Sequence, residues 1–333
     1  MRKRKLGKSG IEASVVGLGA WVIGGGSVWG KDADDAESIS AIHAALDAGM
    51  DLIDTAPAYG FGRSEEVVGK AIKGRRDKVV LATKCGLWWD DKRGSYFCEF
   101  DGKSLCRSLR PDTITIEIEN SLRRLGTDYI DLYQTHWPAM DPDKTKIADT
   151  MACLMELKKQ GKIRAIGISN VSIDEFSENC ACGELATDQF RYSLIFRKPE
   201  NDILPLCKKN DVGTLTYMSL EQGLLTGKTG MDRQFTAGDF RSNEGWNPWY
   251  KVENRQRVID LLTGFKPLTE KYNCTTAQLI LAWTLEQAGV THTLAGARRA
   301  AQALENAKGG EIVLEAADLL KIRKAAEGMG DPK

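Results

Sequence analysis

Hydrophobic positions along the chain alternate between two patterns. Short apolar, β-branched runs fall at residues 14–18, 52–54, 79–83, 130–134, 165–168, 186–190, 213–217 and 292–295. Several are followed by stretches in which apolar residues return every three or four positions. The runs suit strands buried on both faces, and the spaced stretches suit one face of a helix. Residues 34–47 carry Ala36, Ile39, Ala41, Ile42, Ala45 and Leu46 on one stripe, with Gly49 as the stop. Ser64-Glu65-Glu66 predicts an N-cap and an acidic first turn for a helix ending near residue 72. Pro111 opens a helix that carries Ile114, Ile118, Leu122 and Leu125 and closes at Gly126. Met151, Leu154, Met155 and Leu157 lead to Gly161, and residues 277–285 and 300–308 repeat the pattern.

Eight βα units with no Pro/Gly/Ser-rich linker predict one domain over residues 1–333. It is expected to be a single (β/α)8 TIM barrel of the α/β class; the rival, a doubly wound open sheet, usually has about five to seven strands. Ahead of the barrel, Lys5-Leu6 and Ile11-Glu12 flank Gly7-Lys8-Ser9-Gly10, which reads as an N-terminal β-hairpin over the barrel floor. Residues 86–110 and 226–253 are too long for plain connections and are expected to be binding loops on the C-terminal face.

Charge and composition narrow the partners. Lys plus Arg and Asp plus Glu both number 46, so the net charge is zero and no basic face is held in reserve for nucleic acid. No apolar run approaches the roughly 18 residues of a membrane span. The basic start, MRKRKLGKSG, lacks the apolar segment of a secretory signal. A cytoplasmic protein with neither membrane nor nucleic-acid partner is expected. The eight cysteines are irregularly spaced and the three histidines lie far apart, so free thiols and no metal are expected. Nucleotide signatures fail. Gly17-Leu18-Gly19-Ala20-Trp21-Val22 lacks the third glycine of a dinucleotide fingerprint, and the segment from Gly223 to Thr229 is one residue short of a P-loop.

In a (β/α)8 barrel the chemistry gathers where strands end. Asp54 ends the second strand, with Tyr59-Gly60 just beyond, and Lys84 follows the third. Thr135-His136-Trp137 follows the fourth, Ser169-Asn170 the fifth, Gln189 lies in the sixth and Tyr217 ends the seventh. Gly296-Ala297-Arg298-Arg299 follows the eighth. An acid, a phenol, an ammonium and an imidazole would thus converge at one mouth.

These motifs make the chain resemble the aldo-keto reductase superfamily along almost its whole length. The matching text is Asp54-Thr55-Ala56 with Tyr59-Gly60 and Ser64-Glu65, then Thr83-Lys84, then Arg123 to Tyr133 running into His136. It continues in Gly161 to Asn170, Gly223 to Lys228 and Gly238-Asp239-Phe240-Arg241. The later segments are most similar to the bacterial branch that includes inositol-operon-type reductases. The resemblance implies an NADPH-dependent barrel, with NADH possible, that interconverts a carbonyl and an alcohol by hydride transfer. The substrate would be an aldehyde, a ketone, or an aldose or ketose sugar; the oligomeric state stays open. The alternative is a non-catalytic nicotinamide-binding regulatory subunit resembling potassium-channel β-subunits.

The resemblance also implies roles. Tyr59 is the general acid, and Lys84 is expected to lower its pKa. Asp54 neutralises Lys84, and His136 donates a hydrogen bond to the substrate oxygen. Gly19, Ala20 and Trp21, with Asp54, are expected among the cofactor contacts. Ser169, Asn170 and Gln189 hold the nicotinamide carboxamide, and Tyr217 stacks on the nicotinamide ring. Met218, Leu220, Gln222, Gly223, Leu225, Lys228 and Arg241 drape over the pyrophosphate. Gly296, Ala297, Arg298, Arg299, Gln302, Glu305 and Asn306 serve the adenosine end, and the two arginines there imply NADPH. Trp21, Trp88, Trp89 and Trp137, with Tyr59 and His136, are expected to wall the substrate.

Overall fold

Strands of two to seven residues include those that account for the short apolar runs. In chain order they are β1 (Lys3–Lys5), β2 (Glu12–Ser14), β3 (Val16–Gly19), β4 (Leu52–Asp54), β5 (Val80–Cys85), β6 (Leu87–Trp88), β7 (Ser95–Phe100), β8 (Lys103–Arg107), β9 (Ile130–Thr135), β10 (Ile163–Ser169), β11 (Thr187–Arg191), β12 (Gly213–Tyr217) and β13 (His292–Gly296). The computed structural model describes residues 1–26, 29, 34–235, 238–243 and 245–333; positions 236, 237 and 244 of the long 226–253 stretch lie outside the described residues. Strands β3, β4, β5, β9, β10, β11, β12 and β13 pair in parallel, each with the next, and close into a barrel. Each of the eight expected runs falls on one of these strands with ends within two residues.

The helices are α1 (Asp35–Asp47), α2 (Arg63–Ile72), α3 (Pro111–Leu125), α4 (Ile147–Lys159), α5 (Ile173–Cys182), α6 (Ile203–Asn210), α7 (Val252–Thr263), α8 (Lys266–Lys271), α9 (Thr276–Leu285), α10 (Ala300–Gly309) and α11 (Ala316–Met329). Their apolar stripes pack on the outer faces of the strands in two large clusters. The eight cysteines are free thiols.

The barrel floor is closed by the N-terminal hairpin. β1 and β2 pair antiparallel, Lys3 opposite Ser14 and Lys5 opposite Glu12. Between them Leu6 is fully buried and packs, with Ala13, on the inward leucines Leu52, Leu132, Leu215 and Leu294. Gly7 takes φ +49°, and a Cβ there would sit 2.3 Å from the Ala186 carbonyl oxygen, so the plug needs glycine at this point. An apolar floor leaves the opposite end for polar groups.

Two local expectations are corrected. Ser64 is not an N-cap: α2 starts at Arg63, with Gly62 at φ +97° in the capping position. The Ser64 hydroxyl is buried, donates to the Ala20 carbonyl at 2.9 Å and accepts from Thr55 Oγ1 at 2.9 Å. Glu65 faces the barrel and not solvent; it accepts from the Thr83 hydroxyl at 2.6 Å and from Arg124 Nε at 2.7 Å. Residues 86–110 do not form a plain loop. They build a three-stranded antiparallel sheet in the order β6-β8-β7 beside the mouth.

His292, at the start of β13, is fully buried with ring contacts to Thr291 Oγ1 at 2.9 Å and the Arg4 carbonyl at 3.2 Å. Burial holds its pKa down to about 4. An unfolded chain protonates histidine near pH 6.5. The unfolded state therefore binds a proton that the folded state refuses, and stability falls as pH drops from about 6.5 to about 4. Urea unfolding at pH 7 and pH 4.5 is expected to show a loss of about 2–3 kcal/mol from this group alone. That part of the loss should vanish in His292→Asn; an undiminished loss in the variant refutes the assignment.

Candidate active site

The polar residues at the mouth form one connected set. Lys84 ends its side chain with no exposed surface. Its Nζ donates to Asp54 Oδ1 at 2.6 Å, to the Thr55 carbonyl at 2.8 Å and to the Tyr59 hydroxyl at 3.2 Å, which uses all three ammonium protons. The other Asp54 oxygen accepts from Gln134 Nε2 at 3.0 Å and from Gln189 Nε2 at 2.9 Å. Gln189 also donates to Gln134 Oε1 at 3.2 Å. Asp54, Lys84, Gln134 and Gln189 thus tie β4, β5, β9 and β11 together.

Tyr59 stands on the turn after β4, and its place is set by backbone packing. A Cβ on Gly24 would fall 2.6 Å from the Tyr59 carbonyl carbon, and one on Gly60 would fall 2.3 Å from the Gly24 oxygen. Only two glycine backbones fit this closely. His136 donates its amide to the Cys85 carbonyl at 2.8 Å, and its ring meets the Tyr59 ring edge-on with centroids 5.6 Å apart. Asn170, at φ +60°, donates its amide to the His136 carbonyl and to Ser169 Oγ, both at 3.0 Å. Its oxygen accepts from the Tyr217 hydroxyl at 2.7 Å. Ser169 donates to the Gln189 carbonyl at 2.7 Å.

The charge states follow. Burial raises the Tyr59 pKa; Lys84 pulls it down, but not enough, so the phenol stays above the ordinary tyrosine value. This corrects the expectation of a lowered pKa. Burial opposes the Lys84 charge, yet Asp54 and Tyr59 outweigh it and hold the ammonium above the ordinary lysine value. Burial, then Lys84 and Arg107, push His136 well below its usual value, so the imidazole is neutral. A neutral phenol, a fixed ammonium and a neutral imidazole therefore share one buried corner.

Beyond β12 the backbone turns left-handed at Met218 (φ +58°), Glu221 (+45°), Gln222 (+54°) and Gly223 (+101°). Each such non-glycine residue costs on the order of 1–2 kcal/mol. The fully buried Glu221 carboxylate holds them, accepting from Arg191 Nη2 and the Ser193 hydroxyl, both at 2.6 Å, and from Asn247 Nδ2 at 2.9 Å. Concave backbone of this kind suits anions. Both polar atoms of the Gln222 amide, and Trp29 Nε1, are buried without a partner among the described residues. Arg241 is held by Asp239, and the Trp29 ring lies 5.5 Å from the Arg241 Cζ and 5.7 Å from the Arg298 Cζ. Arg298 donates to the Trp29 carbonyl, and burial followed by Arg241 depresses its pKa. A buried, partnerless amide on the left-handed segment and two guanidiniums over one Trp29 ring fit a phosphate-bearing dinucleotide.

Several expected contact residues are engaged otherwise. Arg299 pairs with Glu37 at 3.0 Å and is 71% exposed. The Gln302 oxygen caps α10, accepting from the amides of Arg298 at 2.8 Å and Arg299 at 3.2 Å. Glu305 binds Lys228 at 2.6 Å, and Asn306 donates to the Gly296 carbonyl at 3.1 Å. Leu225 and Ala297 turn their side chains into the hydrophobic layers. Trp88 is removed from the substrate wall. It is buried, its indole N–H donates to Asp91 at 2.8 Å, and Arg93 covers its ring at 4.8 Å. Trp21 stays near the phenol, 6.2 Å from the Tyr59 ring, and packs on Phe240 at 5.4 Å. Trp89 packs on Phe61 at 5.4 Å, and Trp137 on Phe97 at 5.8 Å. Sequence reasoning missed Gln134, Thr55, Trp29, Phe240 and Glu221. Only Gln134 left a signal, a polar residue on the same side of its strand as the inward Leu132.

The Aldo/keto reductase family profile matches residues 15–327. The chain belongs to the aldo/keto reductase family. It is 44% identical over 330 residues to the NADH-specific methylglyoxal reductase of Escherichia coli K12, a match covering 99% of both chains. Among solved structures it is similar to the glycerol dehydrogenase AKR11B4 of Gluconobacter oxydans, with a TM-score of 0.83 and 38% identity over 98% of this chain and 94% of the other. It is also similar to an aldo/keto reductase of Klebsiella pneumoniae in complex with NADP and acetate, at TM-score 0.72 and 26% identity over 97% and 95%. The protein is an NAD(P)H-dependent oxidoreductase acting on carbonyl and alcohol groups of small molecules. None of these relatives supports a regulatory-subunit reading, and none singles out the inositol-operon branch. Among the described residues, no helix is long and apolar enough to cross a membrane.

Asp54 is the counter-ion that lets the reductase bury Lys84. Asp54→Asn is expected to lower the unfolding free energy by about 3–5 kcal/mol, because the ammonium is left uncompensated. Adding Lys84→Met should recover a substantial part of the loss. Additive losses in urea unfolding of the two single variants and the double variant would show that the pair is not coupled.

Proposed function

We propose that Tyr59 is the proton donor and His136 the orienting donor in carbonyl reduction. The observation that carries this is the Lys84 ammonium, bonded at once to Asp54 and to the Tyr59 hydroxyl, with a neutral imidazole against the phenol ring. A bound dihydronicotinamide supplies the hydride. Tyr59 protonates the carbonyl oxygen, and the phenolate left behind stands beside the Lys84 ammonium. His136, neutral, donates a hydrogen bond to that oxygen as negative charge builds on it. Ser169, Asn170 and Gln189 form a linked run of hydroxyl and amide groups matched to a carboxamide, with Tyr217 bonded into the same run. The left-handed segment from Met218 to Gly223, with Arg241 and Arg298, takes the phosphates. We infer further that residues 1–333 act as one domain in the cytoplasm on a small aldehyde, ketone or sugar. Balanced charge supports an absence of nucleic-acid and membrane partners.

Tyr59→Phe is expected to cut carbonyl reduction by about 10²- to 10⁴-fold while coenzyme still quenches tryptophan fluorescence. Because burial keeps the phenol protonated past its ordinary pKa near 10, reduction by the wild type should not fall between pH 7 and 10. Retention of a tenth of the turnover in a chemistry-limited assay would remove Tyr59 from the role.

For the coenzyme, Arg298 favours NADPH. Its guanidinium has no carboxylate partner among the described residues and lies beside Arg241. Arg299, pointed at Glu37 and solvent, is a weaker candidate. The second reading, NADH, is favoured by the relative from Escherichia coli, which is NADH-specific and 44% identical. Dissociation constants decide. NADPH is expected to bind about 10- to 150-fold tighter than NADH, as one charge-assisted contact allows, and Arg298→Ala should erase that ratio. Equal constants in the wild type would establish the second reading.

A further inference from the structure

The sheet beside the mouth carries a second guanidinium that the proposed mechanism does not use. Arg107 ends β8 and lies in register with Leu87 on one side and Ser95 on the other, so it sits in the middle strand. Its Cζ lies 4.2 Å from the centre of the Phe97 ring and 4.7 Å from that of Trp137, the residue after His136. Its charge reaches the His136 imidazole. The Nε is buried and has no hydrogen-bond partner among the described residues. Glu175 is the carboxylate whose charge reaches it. That carboxylate is already engaged by the Ser172 amide at 2.8 Å and the Ser172 hydroxyl at 2.9 Å.

Several other sheltered arginines have acid partners, while Arg255 is held by the backbone carbonyls of Arg233 and Tyr250. Arg76 pairs with Asp131, Arg124 with Glu65, Arg191 with Glu221 and Arg241 with Asp239. A partly desolvated cation without a partner is unfavourable unless something completes it. Rings that cover its face leave the N–H edge of a guanidinium free, and that edge matches a carboxylate or phosphate with two parallel hydrogen bonds. We propose that Arg107, fixed on Phe97 and Trp137 beside His136, binds an oxyanion on the substrate, so that the reductase prefers carbonyl compounds bearing a carboxylate or phosphate. The inference rests on the reading of the site given above. It narrows the substrate class within it.

Paired aldehydes that differ in an anionic group test it. 4-Carboxybenzaldehyde is compared with 4-carbamoylbenzaldehyde, and glyceraldehyde 3-phosphate with glyceraldehyde, by kcat/KM. At least one anionic member is expected to exceed its neutral partner by about 10- to 100-fold, mainly through KM. Which pair shows the gap identifies the oxyanion. Arg107→Gln should bring that ratio close to one, and Arg107→Lys should restore part of it. Should the variants fail to fold, the wild type still decides: raising salt from low to about 0.5 M should shrink the ratio, since charge steering is screened. Ratios near one in the wild type, or a ratio untouched by both salt and Arg107→Gln, overturn the inference. Wild-type protein inactive on all four aldehydes overturns the reading of the site instead.

Discussion

An ammonium with no exposed surface sits at the mouth of the barrel, and much of the architecture exists to keep it there. Water solvates a lysine well, so burial is tolerable only where each proton finds an acceptor. Lys84 finds Asp54, the Thr55 carbonyl and Tyr59. Asp54 then needs donors for its second oxygen, and Gln134 and Gln189 provide them. The demand thus passes from β5 to β4, β9 and β11. It also fixes register. A slip of one residue on β5 would turn Lys84 outward into the helix layer and place Thr83 or Cys85 inside. The hairpin plug answers the same demand from below, because Leu6 and the leucine ring beneath it keep water from the network's underside.

The electrostatic balance gives Lys84 a role different from acidifying a tyrosine. Burial wins over its attraction, and the phenol remains protonated. What the ammonium supplies is a positive charge already in position where the phenolate of the proposed mechanism forms. Preorganised charge of this kind requires no rearrangement at the moment of reaction. The neutral state of His136 fits the same picture: an imidazolium beside Lys84 would repel it, while a neutral ring still has an N–H to give.

Much of this was legible in sequence, and the failures share a cause. Apolar spacing reports that a face is buried, so the eight strands, the helix stripes and the hairpin could be placed. It does not report what a polar residue meets. Ser64 and Glu65 look like a helix cap in one dimension, but α2 begins against the barrel, where Ala20, Thr83 and Arg124 take those groups instead. Gln302, read as a coenzyme contact, also closes the start of α10 through its side-chain oxygen, which the sequence did not show. Residues 86–110 look like a loop because their strands pair only with one another, and the alternation is broken by a register shift between Tyr96 and Cys98. Asp54, Tyr59, Lys84 and His136 stood out because an acid, a phenol, an ammonium and an imidazole gather at the ends of three neighbouring strands.

A net charge of zero conceals how charge is arranged. In this chain 46 cations and 46 anions balance, and most sheltered guanidiniums are matched by carboxylates. Two that have no carboxylate partner among the described residues are Arg298, beside the phosphate-fitting segment, and Arg107, whose charge reaches His136. A fold left to maximise its own stability would pair them, as it pairs Arg241 with Asp239 only two residues away. Both are instead packed on aromatic rings, Arg298 on Trp29 and Arg107 on Phe97 and Trp137. A ring steadies a cation without neutralising it. In a chain of zero net charge, these two cations are thus left for bound anions to neutralise.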